Sequence, residues 1–439
     1  MRRLASLAIF LCVSSVFANE LPRRGTTGLA LAATPEDVRL ANKLEPASSL
    51  IVTSDSNGLK QGDIIVEVGK KPFKSFAHYS ELTRLFTDTT LMPLTILRGG
   101  KREEVLIKII PKPRDDSAKY ATLYTHVTSG NKRIRVIITK PKASGKHPVL
   151  YWIQGIGLGS MDFPLAAQNV TAPILNSFAQ DNYVTVRVEK PGVGDSEGGP
   201  ARLLGWNEEN DIYKATLKSF GNYDFIDRDR VFIFGHSMGG CHAPVVVADQ
   251  PVKGIISYGT VAASWLEWAI KAPRVQGILS GQKHSEVDTE VRNLARFYSY
   301  LYTEDRSIDW IKTNVPDLKK FAEEQSPDGV MLGDRSIEYM KQTNAVNYGD
   351  FWAKLGKTRV LSLYGEHDWI ALRDDQVYVA EMVNKANPGM AEFVTVPSSD
   401  HLFYQCSSPA DSFGRFGKPG NVANSAVIDV MKKWIASLS

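Results

Sequence analysis

From about residue 133 onward, short apolar runs alternate with segments of helical periodicity. Near-continuous apolar runs such as 149–153 and 231–234 suit strands that are covered on both faces. This alternation is typical of a mostly parallel sheet flanked by helices, so we predict an α/β fold. The predicted strands are 133–140, 147–154, 183–189, 230–234, 254–259, 358–364 and 392–397.

The alternation stops between residues 266 and 355. This stretch has a helical pattern and many aromatic residues, and it lies between two predicted strands. Ligands bind at the carboxyl ends of such strands, so we predict a helical insertion that covers the site as a lid. Most of its aromatic side chains should form the core of the insertion, and a few should line a substrate cavity: Trp268, Phe297, Tyr298, Tyr300, Tyr302, Trp310, Tyr339 and Trp352.

Residues 21–111 have a different pattern. A glycine-bounded turn and strand at 58–68 precede a helical pattern at 78–86, and two further strands meet at Gly99-Gly100, a hairpin signal. We predict a small α+β domain here, a polar linker at 112–119 and a second domain at 120–439. The length of 439 residues also exceeds what one core usually organises.

The order of these elements and the sequence GLKQGDII at 58–65 resemble a PDZ domain of the bacterial, protease-associated kind. The resemblance implies binding of an extended peptide C-terminus by strand addition, with backbone amides of a glycine-containing loop on the carboxylate. That loop would be 28–31, where Ala30 stands in place of the expected glycine. The region is either a peptide receptor or a folded spacer or docking module.

Residues 1–18 have the pattern of a secretory signal. Two arginines precede the apolar run 4–13, and small residues stand at Val16 and Ala18, where a signal peptidase reads. We therefore expect a secreted or periplasmic protein, cleaved near Ala18. The apolar run is too short to span a bilayer, and no other stretch approaches about 20 apolar residues.

The net charge of the chain bears on which partners are expected. Cleavage near Ala18 would remove two of the 52 basic residues and none of the 48 acidic ones, which leaves a formal charge of +2. This balance gives no reason to propose nucleic acid or an anionic membrane surface as a partner. The chain has no C-x-x-C pair and no histidine cluster with ligand spacing, so we expect no metal.

The most informative motif is Gly235-His236-Ser237-Met238-Gly239. It follows a predicted strand and precedes a predicted helix, which is the strand, sharp turn and helix of a nucleophile elbow. Ser237 is therefore the candidate nucleophile. His236 is adjacent to it in sequence and is interpreted as part of the turn rather than as a base.

A serine hydroxyl needs a base within hydrogen-bonding reach and an acid that orients the base. Asp368 follows the predicted strand at 358–364, and His401 follows the one at 392–397. The order Ser, Asp, His suits this fold, so we predict Asp368 as the orienting acid, with Glu366 as the substitute, and His401 as the general base. The other histidines are interpreted as bystander, surface or capping residues: His126, His147, His242, His284 and His367.

Two backbone amides should stabilise the oxyanion. One is that of Met238, the residue after the nucleophile. The other should come from the glycine-containing loop 154–159, where we choose Ile156. The loop lacks the G-K-[ST] of a phosphate-binding loop, so that alternative is weak.

Together, 154–157, the segment EKPGVGDS at 189–196, the elbow, 365–368 and His401 resemble an α/β-hydrolase of the secreted esterase and serine-aminopeptidase-like group. The resemblance covers about residue 120 to the C-terminus and implies hydrolysis of an ester, thioester or amide through an acyl-enzyme, with no cofactor. Our first hypothesis is an exported serine carboxylesterase acting on a small or medium acyl ester, and the second is an exopeptidase of the same fold. The third is a non-catalytic peptide-binding scaffold.

The sequence leaves the roles of two pairs of residues undecided. Glu208-Glu209 at a helix start could hold a peptide amino terminus, but acids there usually interact with the helix dipole. Cys241 and Cys406 each follow a predicted catalytic residue closely. They either form a disulfide or remain two buried thiols.

Overall fold

The computed structural model describes residues 21–83, 85–87, 90–165 and 169–438. The chain divides into two units, Met1–Arg114 and Asp115–Ser439. The predicted signal at 1–18 lies outside the described residues. In the described part of the chain, none of the helices has the length and apolar composition needed to cross a bilayer.

In its described residues, the first unit consists of an antiparallel sheet and two short helices. Its elements are β1 (Leu31–Ala33), α1 (Glu36–Ala41), β2 (Leu50–Val52), β3 (Ile64–Val68), β4 (Lys71–Pro72), α2 (Phe76–Thr83), β5 (Leu91–Arg98) and β6 (Lys101–Lys108). The strand order is β1-β2-β3-β5-β6, with β4 paired to β3. Alternate residues of β5, Met92, Leu94 and Ile96, are fully buried, as the two-residue period of a strand requires. Peptide binding at residues 28–31 stays a prediction.

The second unit contains the strands β7 (Tyr120–Ser129), β8 (Lys132–Pro141), β9 (His147–Ile153), β10 (Val184–Val188), β11 (Ile226–His236), β12 (Gly254–Tyr258), β13 (Met331–Leu332), β14 (Arg335–Ser336), β15 (Arg359–Gly365) and β16 (Ala391–Val396). Its helices are α3 (Ala172–Gln180), α4 (Trp206–Ser219), α5 (Met238–Val246), α6 (Trp265–Leu279), α7 (His284–Tyr298), α8 (Ile308–Asn314), α9 (Lys319–Gln325), α10 (Ile337–Asn344), α11 (Tyr348–Ala353), α12 (Arg373–Ala386), α13 (Pro409–Arg415) and α14 (Ser425–Ala436).

Eight of these strands form one mixed sheet in the order β16-β15-β12-β11-β9-β10-β8-β7. The six strands from β16 to β10 are parallel, and β8 and β7 are added antiparallel at one edge. The predicted α/β-hydrolase fold is confirmed. The sequence pattern missed β7, because only some positions of this edge strand are buried and it has no continuous apolar run.

Both faces of the sheet are covered, as the apolar runs predicted. In β9, Val149, Tyr151 and Ile153 belong to one hydrophobic cluster, whereas Leu150 and Trp152 belong to another. The first cluster includes side chains of α4, α5 and α12, and the second includes side chains of α3 and α14. This arrangement leaves the carboxyl ends of the strands as the place for a site.

Helices α6 to α11 and the β13–β14 hairpin form the insertion between β12 and β15. Helix α6 begins with a capping box in which the Ser264 hydroxyl accepts from the Glu267 amide. Buried side chains of the insertion, including Phe297, Leu301 and Trp352, are continuous with the sheet core. The insertion is therefore packed on the sheet rather than separate from it.

Candidate active site

Ser237 lies in the sharp turn between β11 and α5, with φ of +53° and ψ of −124°. Few residues with a side chain adopt a positive φ, so the turn is strained. A Cβ at position 239 would lie 2.0 Å from the Ile153 carbonyl oxygen, and one at position 235 would lie 2.5 Å from the Gly239 carbonyl oxygen. The two glycines of the motif are therefore required for strand and helix to pass so closely.

The predicted acid and base lie side by side after adjacent strands. Asp368 follows β15, and His401 follows β16. His401 Nδ1 is 2.8 Å from Asp368 Oδ2, and both side chains are buried. The other carboxylate oxygen of Asp368 accepts hydrogen bonds of 2.8 Å from the amides of Ile370 and Ala371. The carboxylate is thus fixed by its own loop and in turn fixes the imidazole.

Ser237 and His401 line the same cavity. No hydrogen bond joins the Ser237 hydroxyl to a group of the described residues. Hydrogen bonds of this kind are often long in ligand-free sites and shorten when substrate binds. The substitute acid, Glu366, points elsewhere, because its carboxylate accepts from the Ser398 amide at 2.7 Å.

His236 has a specific role that the sequence did not indicate. Its Nε2 donates a 2.7 Å hydrogen bond to the carbonyl oxygen of His401. The ring packs between Trp152, at 5.8 Å, and Phe403, at 4.6 Å between centroids. Burial, with the nearby His401, holds the pKa of His236 well below its usual value. A neutral ring in this position supports the main chain of the predicted base.

The glycine-containing loop at 154–159 lies against the nucleophile. A Cβ at position 155 would lie 3.1 Å from Ser237 Cβ and 3.6 Å from its Oγ. Ile156 and Met238 both line the cavity with Ser237. Within the described residues, no group accepts a hydrogen bond from either backbone amide. The two amides are thus free to donate to a substrate oxygen.

The cavity has a volume of about 320 Å³. On the side of the insertion it is lined mainly by aromatic and aliphatic side chains: Trp265, Trp268, Tyr298, Tyr302, Leu332 and Met340. The Trp265 and Trp268 rings are stacked at 4.4 Å, and those of Tyr298 and Tyr302 at 5.1 Å. A wider surface depression of about 810 Å³, beside α12, contains none of the predicted catalytic residues. The smaller cavity is therefore the candidate active site.

A family model of the alpha/beta hydrolase fold matches residues 157–404, more than half of the chain. The chain belongs to the α/β-hydrolase family. The elbow, the Asp368–His401 pair and the mixed sheet lie within or next to the matched region.

Parts of this hydrolase are similar to two named proteins and to one solved structure. A protein named probable dipeptidyl-aminopeptidase B from Talaromyces marneffei is 28% identical over 180 residues, which cover 38% of this chain and 18% of that one. The quorum-quenching protein AidA of Acinetobacter baumannii is 27% identical over 138 residues, 31% of this chain and 43% of its own. The matched segments thus span less than half of these relatives. The structure of Est1E from Butyrivibrio proteoclasticus with ferulic acid covers 72% of this chain and 98% of its own, at 15% identity and a TM-score of 0.46.

The hydrolase also contains a buried charged cluster that sequence reasoning missed. The Glu209 carboxylate contacts Arg335 Nη2 at 2.6 Å, Lys190 Nζ at 3.3 Å and His242 Nε2 at 3.1 Å. All four side chains are at most 1% exposed. We refer to these four residues below as the Glu209 cluster.

The interpretation of His242 is therefore wrong. Both Glu208 and Glu209 lie in the first turn of α4, as predicted, but Glu209 is buried in the cluster, whereas Glu208 is paired with Lys132 nearer the surface. His242 is not a surface or capping residue, because it is stacked on Trp206 at 3.6 Å between centroids. The partners of Glu209 are as far as 126 residues away in sequence, so no local pattern could indicate them.

In the Glu209 cluster, burial and the neighbouring charges shift the pKa values of the side chains in opposite directions. Burial lowers the pKa of Lys190 to about 8, although Glu209 opposes the shift. Burial likewise lowers the pKa of His242 to about 4, so its ring is neutral at pH 7. Burial alone would raise the pKa of Glu209, but Lys190, His242 and Arg335 together lower it. Glu209 is therefore ionised and its charge is balanced within the protein.

Cys241 and Cys406 of the hydrolase are free, buried thiols. Cys241 Sγ lies 3.2 Å from the Val261 carbonyl oxygen, to which it donates. Of the two alternatives drawn from the sequence, the structure has the one without a disulfide. Among the described residues, no group of three or more His, Cys, Asp or Glu side chains is arranged to hold a metal ion.

Proposed function

We propose that the protein is an exported serine hydrolase that cleaves carboxylic esters through an acyl-enzyme. The observation that carries the proposal is that His401, whose Nδ1 lies 2.8 Å from Asp368 Oδ2, lines the same cavity as Ser237. A nucleophile on a strained turn, a base and an orienting acid are the parts that acyl transfer requires.

In the proposed reaction His401 Nε2 takes the proton of the Ser237 hydroxyl as its oxygen attacks the ester carbonyl. The negative oxygen of the tetrahedral intermediate accepts hydrogen bonds from the Met238 and Ile156 amides. His401 then returns the proton to the leaving alcohol, which departs as the acyl-enzyme forms. Water, activated by His401, attacks the acyl-enzyme and releases the carboxylic acid. Asp368 keeps the imidazole oriented and stabilises its charged form.

The Glu209 cluster does not provide a binding site for the amino group of a peptide substrate. An exopeptidase needs a carboxylate that is accessible to the ammonium group of its substrate. Glu209 is buried and balanced by two cations, and Glu208 is paired with Lys132. The mainly apolar lining of the cavity suits an acyl or aryl group instead.

An exopeptidase of the same fold is the second candidate. Asp334 favours it, because this exposed carboxylate lines the cavity and could bind a substrate amino group. In that case the Asp334→Asn variant would lose activity on aminoacyl substrates and keep activity on neutral esters.

Activity assays separate these hypotheses from a non-catalytic scaffold. The purified protein should hydrolyse p-nitrophenyl esters faster than aminoacyl-nitroanilides and should react with a fluorophosphonate probe. Ser237→Ala should abolish both properties, whereas Ser285→Ala, at an exposed serine of α7, should change neither. Activity on anilides alone contradicts the esterase proposal. A protein that neither turns over substrate nor reacts with the probe is the scaffold.

Export is part of the proposal and rests on the pattern of residues 1–18. Mass spectrometry of the protein from the culture medium or periplasm of a producing bacterium should give an N-terminus near Asn19. An intact N-terminus on protein found only in the cytoplasm contradicts it.

A further inference from the structure

Two buried cations donate hydrogen bonds to backbone carbonyl oxygens of the loop at 154–159. Lys190 Nζ donates to the Gly155 carbonyl oxygen at 2.8 Å. Arg335 Nη1 donates to the next carbonyl oxygen, that of Ile156, at 3.3 Å. Two successive peptide groups of the loop therefore have their oxygens directed at the Glu209 cluster.

The direction of these carbonyls determines the direction of the amides. In a trans peptide the C=O and the N–H point to opposite sides. A carbonyl of Gly155 that points to Lys190 turns the N–H of Ile156 away from the cluster. The carbonyl of Ile156 has the same effect on the N–H of Gly157. Ile156 and Gly157 both line the cavity that contains Ser237.

We propose that Lys190 and Arg335 are positioning residues for the oxyanion hole. Lys190 orients the peptide that carries the Ile156 amide, and Arg335 fixes the peptide that follows it. Glu209 is the shared counter-ion that keeps both cations in place. The inference rests on the proposed serine hydrolase function. Neither cation is among the residues that line the cavity, so both act through the loop backbone.

The surroundings of the cluster support this role. Burying two cations without an anion would cost free energy. Glu209 supplies the anion, because its Oε1 lies 3.3 Å from Lys190 and 2.6 Å from Arg335. Arg335 also donates to the Leu204 carbonyl oxygen at 3.2 Å and lies over the Tyr339 ring at 3.6 Å. Because Arg335 belongs to β14, the insertion itself supplies part of the support for the loop.

The positions of Lys190 and Arg335 in the sequence give no indication of this role. Lys190 lies in the segment EKPGVGDS, whose local pattern gives no sign of a buried cation. Arg335 lies 179 residues after the carbonyl that it binds. Only the folded chain brings the two donors to consecutive peptides.

The test compares Lys190→Met and Arg335→Met with Lys132→Met in the full-length protein. The control removes a cation from a partly exposed pair with Glu208, one residue before Glu209. For a p-nitrophenyl ester, we expect kcat to fall about 10- to 100-fold in both cluster variants, since losing an oxyanion donor entirely costs about 100- to 1,000-fold. KM should change less than about twofold, and the control should behave as the parent protein.

Inhibition by phenylboronic acid separates positioning from a general structural effect. Its adduct with Ser237 would place a tetrahedral boronate oxygen in the oxyanion hole, so its inhibition constant should rise by the same factor as kcat/KM falls. The Glu209→Gln variant, which keeps both donors but loses their counter-ion, should show a smaller effect of the same kind. Only variants whose melting curves show folded protein at the assay temperature are compared.

The outcomes distinguish this inference from the proposed function. If Ser237→Ala is inactive but folded Lys190→Met and Arg335→Met retain the parent kcat and boronate affinity, the positioning role is wrong and the hydrolase stands. A rise in KM at unchanged kcat also overturns it. If Ser237→Ala retains activity, the proposed function itself fails.

Discussion

The Nε2 atom of His236 lies 2.7 Å from the carbonyl oxygen of His401. His236 is the last residue of β11 and directly precedes Ser237, whereas His401 lies 165 residues away, after β16. The hydrogen bond therefore connects the turn that carries the proposed nucleophile to the loop that carries the proposed base.

Replacing His236 should lower activity without removing a reacting group. His236→Leu loses the hydrogen bond to the His401 loop, and we expect kcat to fall on the order of 10- to 100-fold, since small misplacements of catalytic groups have effects of this size. His236→Gln can still donate and should retain more activity. The measurement is ester hydrolysis, with His367→Ala as a control at the neighbouring loop. Equal activity of the Leu variant and the parent contradicts the role.

Exchange of Asp368 for asparagine tests which acid orients the base. In Asp368→Asn the new side-chain amide would hold the imidazole in the wrong tautomer, and kcat should fall by roughly 10⁴-fold. Glu366→Gln is the matched control, because the Glu366 carboxylate accepts from the Ser398 amide rather than from His401. A larger loss of kcat in the Glu366 variant than in the Asp368 variant would assign the role to Glu366.

Gly259 provides a test of how tightly the Asp368–His401 pair is packed. A Cβ there would lie 3.0 Å from both Asp368 Oδ2 and His401 Nδ1. Gly259→Ala should therefore displace the pair and reduce kcat. Gly281→Ala is the control, because Gly281 also has a positive φ, of 87°, but no atom within 4 Å of an added Cβ. Backbone strain alone predicts equal effects on kcat, whereas contact with the pair predicts an effect at Gly259 only.

The buried neutral His242 should make the protein less stable in acid. Its pKa is about 4 in the folded chain against 6.5 for the ordinary group, so the unfolded chain binds more protons between these values. Stability from this residue is therefore lost as the pH falls, by about 2 kcal/mol between pH 7 and pH 5. Urea unfolding across this range measures the slope.

The variants that test this slope are His242→Gln and His284→Gln. The first should reduce the dependence of the unfolding free energy on pH by about one proton. The second changes an exposed histidine of α7 and is the control for exchanging a histidine for glutamine. The same slope in all three proteins contradicts the assignment to His242.

The two thiols should be unreactive in the folded protein. Burial raises the pKa of Cys241 to about 11 and that of Cys406 to about 12, so little thiolate is present at neutral pH. Without reductant, Ellman's reagent should detect no thiol in the native mature protein and two after unfolding in guanidinium. No thiol after unfolding would show that a disulfide joins them.

The sequence alone determined the fold and its repeating pattern. A strand whose apolar residues do not alternate with polar ones must be covered on both faces of its sheet. The parallel strands, and the helices between them, could therefore be predicted from residue 133 onward. The role of the glycines at 235 and 239 could also be predicted, because a strand and a helix that pass this closely leave no room for a side chain. The loops after β15 and β16 then supplied Asp368 and His401 as candidates.

Only the tertiary structure decided how buried polar groups are paired. Local sequence did not indicate that Glu209 and His242 are buried and paired, because Glu209 contacts His242 at a separation of 33 residues and Arg335 at a separation of 126. Their pairing depends on α4, α5 and the β13–β14 hairpin meeting beneath the loop at 154–159. A charge can be buried only where the fold brings a counter-charge to it, and that is a property of the whole folded chain.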